Sequence, residues 1–460
     1  MAIMTLDVER ILTAGLGNTT HLIGSGGEAV VVDPPRDAWR VIAAAAARGW
    51  RLTHVLETHV HNDYLSGALE LRASTGATIV APARGGYTFD HRAVDDGDIV
   101  QIGDIQLVAR ATPGHTPEHL AWGVGSLGAT VPEAVLTGGS LMVGSAGRTD
   151  LLGSSATDGL TRDQFRTMRA LSALPDDVGV WPTHGAGSFC GSGPEGGART
   201  STIGRERASN PFLQMATEAD FVAEMLDGVG PYPTYYSAMA PINRSGPPVL
   251  GRPPTAPILD VETAFAALGT GARIVDARSR TSFAAGHVPG SLNIELDDSF
   301  ASYVGWFVPF GASVILVLPE PVDESLAAAA VQLWRIGYDQ LVGAIGGGVD
   351  AWAESGRVVA TYPTVTIGEL RAEDPRDRGV ILDVRYPREW RDDGIVPGAM
   401  TISVGELPGR MGELPRDGRI TVLCRSGQRA SIAASLVDAS GLDVRLVTVG
   451  GAPDWLDDAG

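Results

Sequence analysis

Residues 58–67 read THVHNDYLSG. His59, His61 and Asp63 recur at i, i+2 and i+4, and imidazole and carboxylate groups grouped this closely make a metal cradle. His115 follows in TPGHTPEHLAW, with His119 four residues on, and His184 in WPTHGAGSF. A second chemistry is offered by ITVLCRSGQRAS at 420–431. There an apolar strand delivers Cys424 to a loop, and a helix is predicted from about Ala430. A thiol in that place faces unpaired backbone N–H groups and the positive end of a helix, and Arg425 and Arg429 add charge. Such surroundings favour a thiolate or persulfide anion. A buried structural cysteine is the plain alternative, but it calls for no following pair of arginines. A phosphatase loop needs Cys-x5-Arg to surround phosphate, whereas Cys424 to Arg429 is Cys-x4-Arg, a tighter ring that suits sulfur.

The elements around these residues come from an acidic chain of 460 residues, long enough for several domains, with a formal net charge of −19. That charge opposes binding to nucleic acid or an anionic membrane. All 35 basic residues are arginine, so Schiff-base and phosphate-loop lysines are excluded. Two cysteines, Cys190 and Cys424, allow no disulfide framework and suggest a reducing compartment. The start MAIMTLDVER lacks a basic segment leading into an apolar one, and no apolar run approaches membrane-spanning length. The expected location is cytoplasmic.

Strand-like runs Ala29–Asp33, Thr53–Leu56 and Ala77–Ala81 alternate with helical patterns over Asp37–Ala47 and Asp63–Thr75, which predicts an α/β domain. Gly and Pro cluster at 246–257 as a linker. Beyond it the chain repeats. ARIVDARSRTSFAAGHVPGSLNI from Ala272 matches GVILDVRYPREWRDDGIVPGAMTI from Gly379, and IGGGVDAW matches VGGAPDW. The offset of about 105 residues is the size of one domain.

Residues 364–458 resemble the rhodanese (sulfurtransferase) family in Asp383 of LDVR, Glu389, Trp390, the turn Pro397–Ala399 and the CRSGQR loop. The resemblance implies that Cys424 carries sulfane sulfur, assisted by Arg425 and Arg429. The family's turn histidine is absent, Gly394 and Ile395 preceding Val396. The first copy keeps that turn as Gly286-His287-Val288-Pro289-Gly290, but Leu318 stands in the cysteine's place, followed by Pro319, Glu320 and Pro321. Prolines remove the N–H donors an anion cradle needs, so a structural or docking role is expected.

Residues 1–245 resemble the metallo-β-lactamase fold in THVHND, TPGHTPEHLAW, GRTD at 147–150 and WPTHGAGSF. The implied architecture is α/β and multidomain: an N-terminal αββα sandwich (1–245), then two tandem rhodanese-like α/β domains (258–361, lacking the cysteine, and 364–460). Tyr64 replaces a histidine ligand of the family's second metal, and Gly139 in LTGGSL replaces the bridging aspartate. A dinuclear zinc thioesterase is therefore disfavoured. With Ser201–Arg207, ASNPFL at 208–213, the FCG around Cys190 and the domain order, the chain is most similar to persulfide dioxygenases fused to an inert and an active rhodanese domain.

That resemblance implies one Fe(II) per chain, zinc being the alternative, with His59 and His115 as carried-over ligands. Its carboxylate ligand is missing at Gly139. Water or an anion completes the sphere, Asp63 or His61 moves in, or metal affinity falls. His61, Asp63 and His184 are expected behind the ligands rather than among them, His119 is expected in the pocket wall, and an aspartate at 139 is expected to raise metal occupancy. Arg148 pairs with a substrate carboxylate or with an internal acid. Cys190 is either a second sulfur acceptor or a small buried residue. The implied function is oxidation of a glutathione persulfide-like thiol to sulfite, coupled to sulfur transfer at Cys424 that yields thiosulfate. The rivals are a sulfur carrier on a metal-poor scaffold and, less favoured, a thioester hydrolase. Expected partners are thiol persulfides, sulfite, thiosulfate and O2, with no nucleic acid and no membrane, in a homo-oligomer.

Overall fold

The computed structural model describes residues 6–185, 187–191 and 197–457. The chain forms two compact units, Met1–Val229 with Tyr235–Pro253 and Trp334–Gly337 in the first, and Gly230–Thr234, Pro254–Leu333 and Tyr338–Gly460 in the second, so the main division falls inside the Gly/Pro-rich linker.

Alternation along the strands builds the first unit. In Glu28–Val32, Val30 and Val32 enter one hydrophobic cluster while Ala29 and Val31 enter another, as the two-residue period of a strand with both faces covered requires. The first cluster lies between two six-stranded sheets, joining Ile23, Leu56 and Val80 of one to Leu107, Trp122 and Leu136 of the other. Helices Trp39–Ala47 and Ala68–Thr75 cover the outer face of the first sheet through Val41, Ala45 and Leu71. Ser154–Ser172 and Glu218–Gly228 cover the second through Met168, Leu171, Phe221 and Met225. The result is the expected αββα sandwich.

The helix predicted from Asp63 begins at Ala68 instead. Residues 61–66 are held as a loop by distant side chains. Asn243 Nδ2 donates to the carbonyls of His61 and Tyr64, both at 2.8 Å, its Oδ1 accepts from Ser66 N at 2.9 Å, and the Tyr235 hydroxyl donates to the Asp63 carbonyl at 2.7 Å. Carbonyls satisfied from outside have no need of a helical partner.

The second unit contains two parallel five-stranded sheets of the same order. One runs Ile258–Leu259, Leu341–Ile345, Val314–Val317, Arg273–Asp276, Leu292–Asn293; the other runs Thr364–Thr366, Val444–Val449, Ile420–Leu423, Val380–Asp383, Met400–Thr401. Asp276 pairs with Val317 and Asp383 with Leu423, which makes Leu318 the structural counterpart of Cys424. Each copy also repeats one internal tie. Arg385 holds Asp383 and donates to the Gly394 carbonyl at 2.7 Å, and Arg278 holds Asp276 and donates to the Gly286 carbonyl at 2.8 Å. No helix among the described residues is long and apolar enough to cross a membrane.

Candidate metal centre and thiol loop

His59 follows strand Arg51–Leu56, His115 precedes Leu120–Ser126, and His184 follows Gly179–Pro182, so strand ends of both sheets bring the three rings together. All three are buried, and their ligand atoms lie within 4.8 Å of one another. The hydrogen-bond network assigns each tautomer. Thr58 Oγ1 donates to Asp33 at 2.7 Å and so accepts from His59 Nδ1 at 2.8 Å. His115 Nδ1 donates to the Arg148 carbonyl at 2.7 Å, and His184 Nδ1 to Asn18 Oδ1 at 2.8 Å. Each ring therefore presents an unprotonated Nε2. Those of His59 and His184 are 3.3 Å apart, and that of His115 is buried without a partner.

Burial, ahead of repulsion among the rings, pushes the pKa of His115 down to about 3 and that of His59 well below the usual histidine range. Burial, then His61, pushes His184 down to about 3. Neutral imidazoles with lone pairs converging and N–H groups anchored behind them are what a metal ligand set requires.

Two further donors surround this trio. Asp63 Oδ2 accepts from Asn18 Nδ2 at 2.8 Å, while Oδ1 is buried and unpartnered. His61 Nε2 lies 3.1 Å from Glu57 and 3.3 Å from Asp33, leaving Nδ1 unpartnered. His61, Asp63 and His184 also place ligand atoms within 4.8 Å of one another. These three therefore border the cluster formed by His59 and His115. The orphaned nitrogens and oxygen fit a metal ion, since buried polar atoms without partners are otherwise costly. Burial works against charge on His61, but Asp33 and Glu57 outweigh it and lift its pKa to about 10.

Asp33 and Glu57 were not singled out in the sequence. Asp33 also accepts from Thr58 N at 2.8 Å and from Thr183 Oγ1, and despite burial His61 and these bonds hold its carboxyl at about 2. A signal for it existed in its position at a strand end before two prolines.

Tyr64 is buried, and its hydroxyl is spent on the Asp33 carbonyl at 3.2 Å and His61 Nε2 at 3.0 Å. Its phenol is pushed well above the ordinary range by burial and then by Asp33 and Glu57. Gly139 N donates to His119 Nε2 at 3.0 Å, and His119 Nδ1 then donates to Thr112 Oγ1 at 2.8 Å, so both His119 nitrogens are used within the wall. A Cβ at Gly139 would overlap the His115 ring, with its Nε2 only 2.8 Å away. This corrects the expectation for an aspartate at 139: it needs His115 to move.

Arg148 makes an internal pair, Nε and Nη2 each 2.7 Å from the Asp150 carboxylate, rather than a cation presented to substrate. Its carbonyl is the part that serves the centre, by orienting His115. Cys190 is fully buried with Sγ 3.8 Å from the Tyr236 hydroxyl, and burial pushes its thiol well above the usual value, which suits the small buried residue better than the sulfur acceptor.

In the second unit Cys424 ends strand Ile420–Leu423 and is buried, and its Sγ accepts from Gly427 N at 3.1 Å. Helix Gln428–Ala439 starts directly after Gly427, two residues earlier than the sequence pattern placed it. Arg429 forms a two-point pair with Glu389, one arm at 2.8 Å, and lies 4.7 Å over the Tyr386 ring. Burial disfavours its charge, but Glu389 and then Cys424 reverse this and raise its pKa. Arg425 is more exposed and pairs with Asp393 at 2.8 Å. In the first repeat Pro319 and Pro321 supply no amide where the thiol loop has Arg425 and Gly427.

The N-terminal sandwich with its strand-end histidines and the doubled parallel sheet agree with comparison to known proteins. Residues 13–197 match the metallo-β-lactamase superfamily, and residues 261–355 and 366–458 each match the rhodanese-like domain. A hydroxyacylglutathione hydrolase from Rhodobacter capsulatus is 31% identical over 211 residues, 40% of this chain and 77% of that protein. The chain belongs to the metallo-β-lactamase superfamily and carries two rhodanese-like domains. A hydroxyacylglutathione hydrolase from Cereibacter sphaeroides is 36% identical over 162 residues, 35% of this chain, and the match spans 58% of that protein's length. Among solved structures, a metallo-β-lactamase from Staphylococcus aureus is 28% identical with a TM-score of 0.66, covering 74% of this chain and 99% of that one. That coverage exceeds the N-terminal domain alone, so the likeness extends into the repeats.

Proposed function

We propose that this chain oxidises a low-molecular-weight thiol persulfide to sulfite at a single iron held in the N-terminal domain, and that Cys424 transfers sulfane sulfur to yield thiosulfate. The observation that carries this above its rivals is that two of the second-metal positions offer no ligand: the Tyr64 hydroxyl is already bonded and His115 fills the space beside Gly139. His59, His115 and His184 would hold the iron, with Asp63 beside them. Iron bound by these residues would supply the redox chemistry that oxidation of a persulfide sulfur by dioxygen needs. The chain's own part is to keep the three rings neutral and aimed, through Thr58, the Arg148 carbonyl and Asn18.

In the balance, the terminal sulfur of the persulfide, both oxygen atoms of O2 and one from water leave as sulfite, the thiol is released, and two protons go to solvent. At the second unit a sulfane sulfur donor loses its outer sulfur to the Cys424 thiolate, forming Cys–S–S⁻. Sulfite then attacks the outer sulfur, thiosulfate departs, and the thiolate is restored. The Gly427 N–H, 3.1 Å from Cys424 Sγ, stabilises the thiolate form.

The names of the curated relatives favour a second reading, hydrolysis of a glutathione thioester. Oxygen uptake and sulfite release on adding a thiol persulfide to anaerobically purified protein separate the two. We expect both signals from wild type, loss of both in His115→Ala, and retention of both in Cys424→Ser, which in turn loses thiosulfate-to-cyanide transfer. Thioester cleavage without oxygen uptake would replace the dioxygenase reading, and transfer surviving in Cys424→Ser would remove Cys424 from it.

A further inference from the structure

Helix Gln428–Ala439, which follows the thiol loop, is tied along one side to the repeat that lacks a cysteine. Gln428 Nε2 donates to Ser299 Oγ at 2.8 Å and to Asp297, and Ser431 Oγ donates to Asn293 Oδ1. Ser435 Oγ accepts from Asn293 N at 3.1 Å, and Asp438 lies 3.1 Å from His287 Nε2. Positions 428, 431, 435 and 438 fall on one helical stripe. Ser431 and Ser435 are buried, so these bonds satisfy groups that have no water to turn to.

The tie nearest the sulfur is Arg280. Its Nη1 donates to the Ser426 carbonyl, while Nε and Nη2 hold the Glu295 carboxylate. The Ser426 carbonyl belongs to the same peptide group as the Gly427 N–H that reaches Cys424 Sγ. A peptide group is planar and trans, so fixing its oxygen on one side fixes its N–H on the other. A cation on the oxygen also polarises the N–H toward the sulfur. Gly427 has φ +95, and a side chain there would collide with the Arg280 guanidinium, so the loop and this arginine are fitted to each other.

We propose that Arg280 of the first repeat is a positioning residue for sulfur transfer at Cys424, locking the Ser426–Gly427 peptide so that its N–H stays on the sulfur. The repeat without a cysteine is then part of the thiol centre rather than a remnant. This rests on Cys424 being the transferring thiol.

The test uses full-length Arg280→Met, Arg280→Gln and Arg280→Lys, measuring kcat and KM for thiosulfate-to-cyanide transfer and the rate of Cys424 alkylation by iodoacetamide. Cys424→Ser sets the background from Cys190. Loss of one hydrogen bond from a charged donor should lower kcat and alkylation about tenfold in Arg280→Met, with KM for thiosulfate within about twofold of wild type. Arg280→Lys, which keeps a cationic donor, should recover most of that loss. If Arg280→Met does not fold, Arg280→Gln, a neutral donor, is judged by the same loss against Arg280→Lys. Wild-type kcat and alkylation in the neutral variants would overturn the proposal, as would a lysine variant no better than they are. Should wild type alkylate at Cys424 yet transfer no sulfur, the transfer reading fails and the alkylation ratio alone decides for or against Arg280.

Discussion

At the scale of single residues, the metal centre depends on side chains that orient other side chains. Asn18 holds both His184, through Oδ1, and Asp63, through Nδ2. Asn18→Ala frees both, and loss of such an outer partner costs about 10- to 100-fold in metal affinity. Competition with a metal-indicator chelator should show the drop, and affinity equal to wild type would mean that Asn18 orients neither ligand. Gly139→Asp should lower bound metal rather than raise it, because its side chain displaces His115; metal analysis of the purified variant decides, and a gain would mean that His115 gives way at little cost. That His59 and His115 would meet was implied by the family resemblance, and they do. His184 was found by motif, but its convergence on them was not legible, because its ring direction is set by a residue 166 positions away. Arg148 could not be resolved for the same kind of reason, as nothing in GRTD says whether Asp150 or a ligand takes the guanidinium.

At the scale of elements, what separates the two repeats is the loop after one strand. Strand order and internal arginine tie are the same in both, and the sequence repeat already announced that the two domains are alike. Leu318→Cys alone should create no sulfurtransferase, because a thiol there still lacks the amides removed by Pro319 and Pro321. Appreciable thiosulfate-to-cyanide transfer by Leu318→Cys in a Cys424→Ser background would show that the amide ring is dispensable. The arginine tie has its own consequence. Arg385 and Asp383 are fully buried, whereas Arg278 keeps 20% of its side chain exposed. Arg385→Met leaves a buried carboxylate without its partner and should cost about 3–5 kcal/mol, with Arg278→Met costing less. Urea midpoints check the order, and equal midpoints would contradict it. The late start of the helix at Ala68 was beyond sequence reading, because Asn243 and Tyr235 act from far along the chain.

At the scale of the whole molecule, domain order and class were legible because they rest on repeats, linker composition and strand periodicity, which are local signals. The roles of the repeat without a cysteine were not, because its contacts with the thiol loop join residues such as Arg280 and Ser426 that no local pattern connects. An N-terminal domain that works with one redox metal, and not with two hydrolytic ones, should carry one iron per chain after anaerobic purification and lose it in His59→Ala. Metal content per chain decides, and two zinc ions per chain would contradict the mononuclear reading.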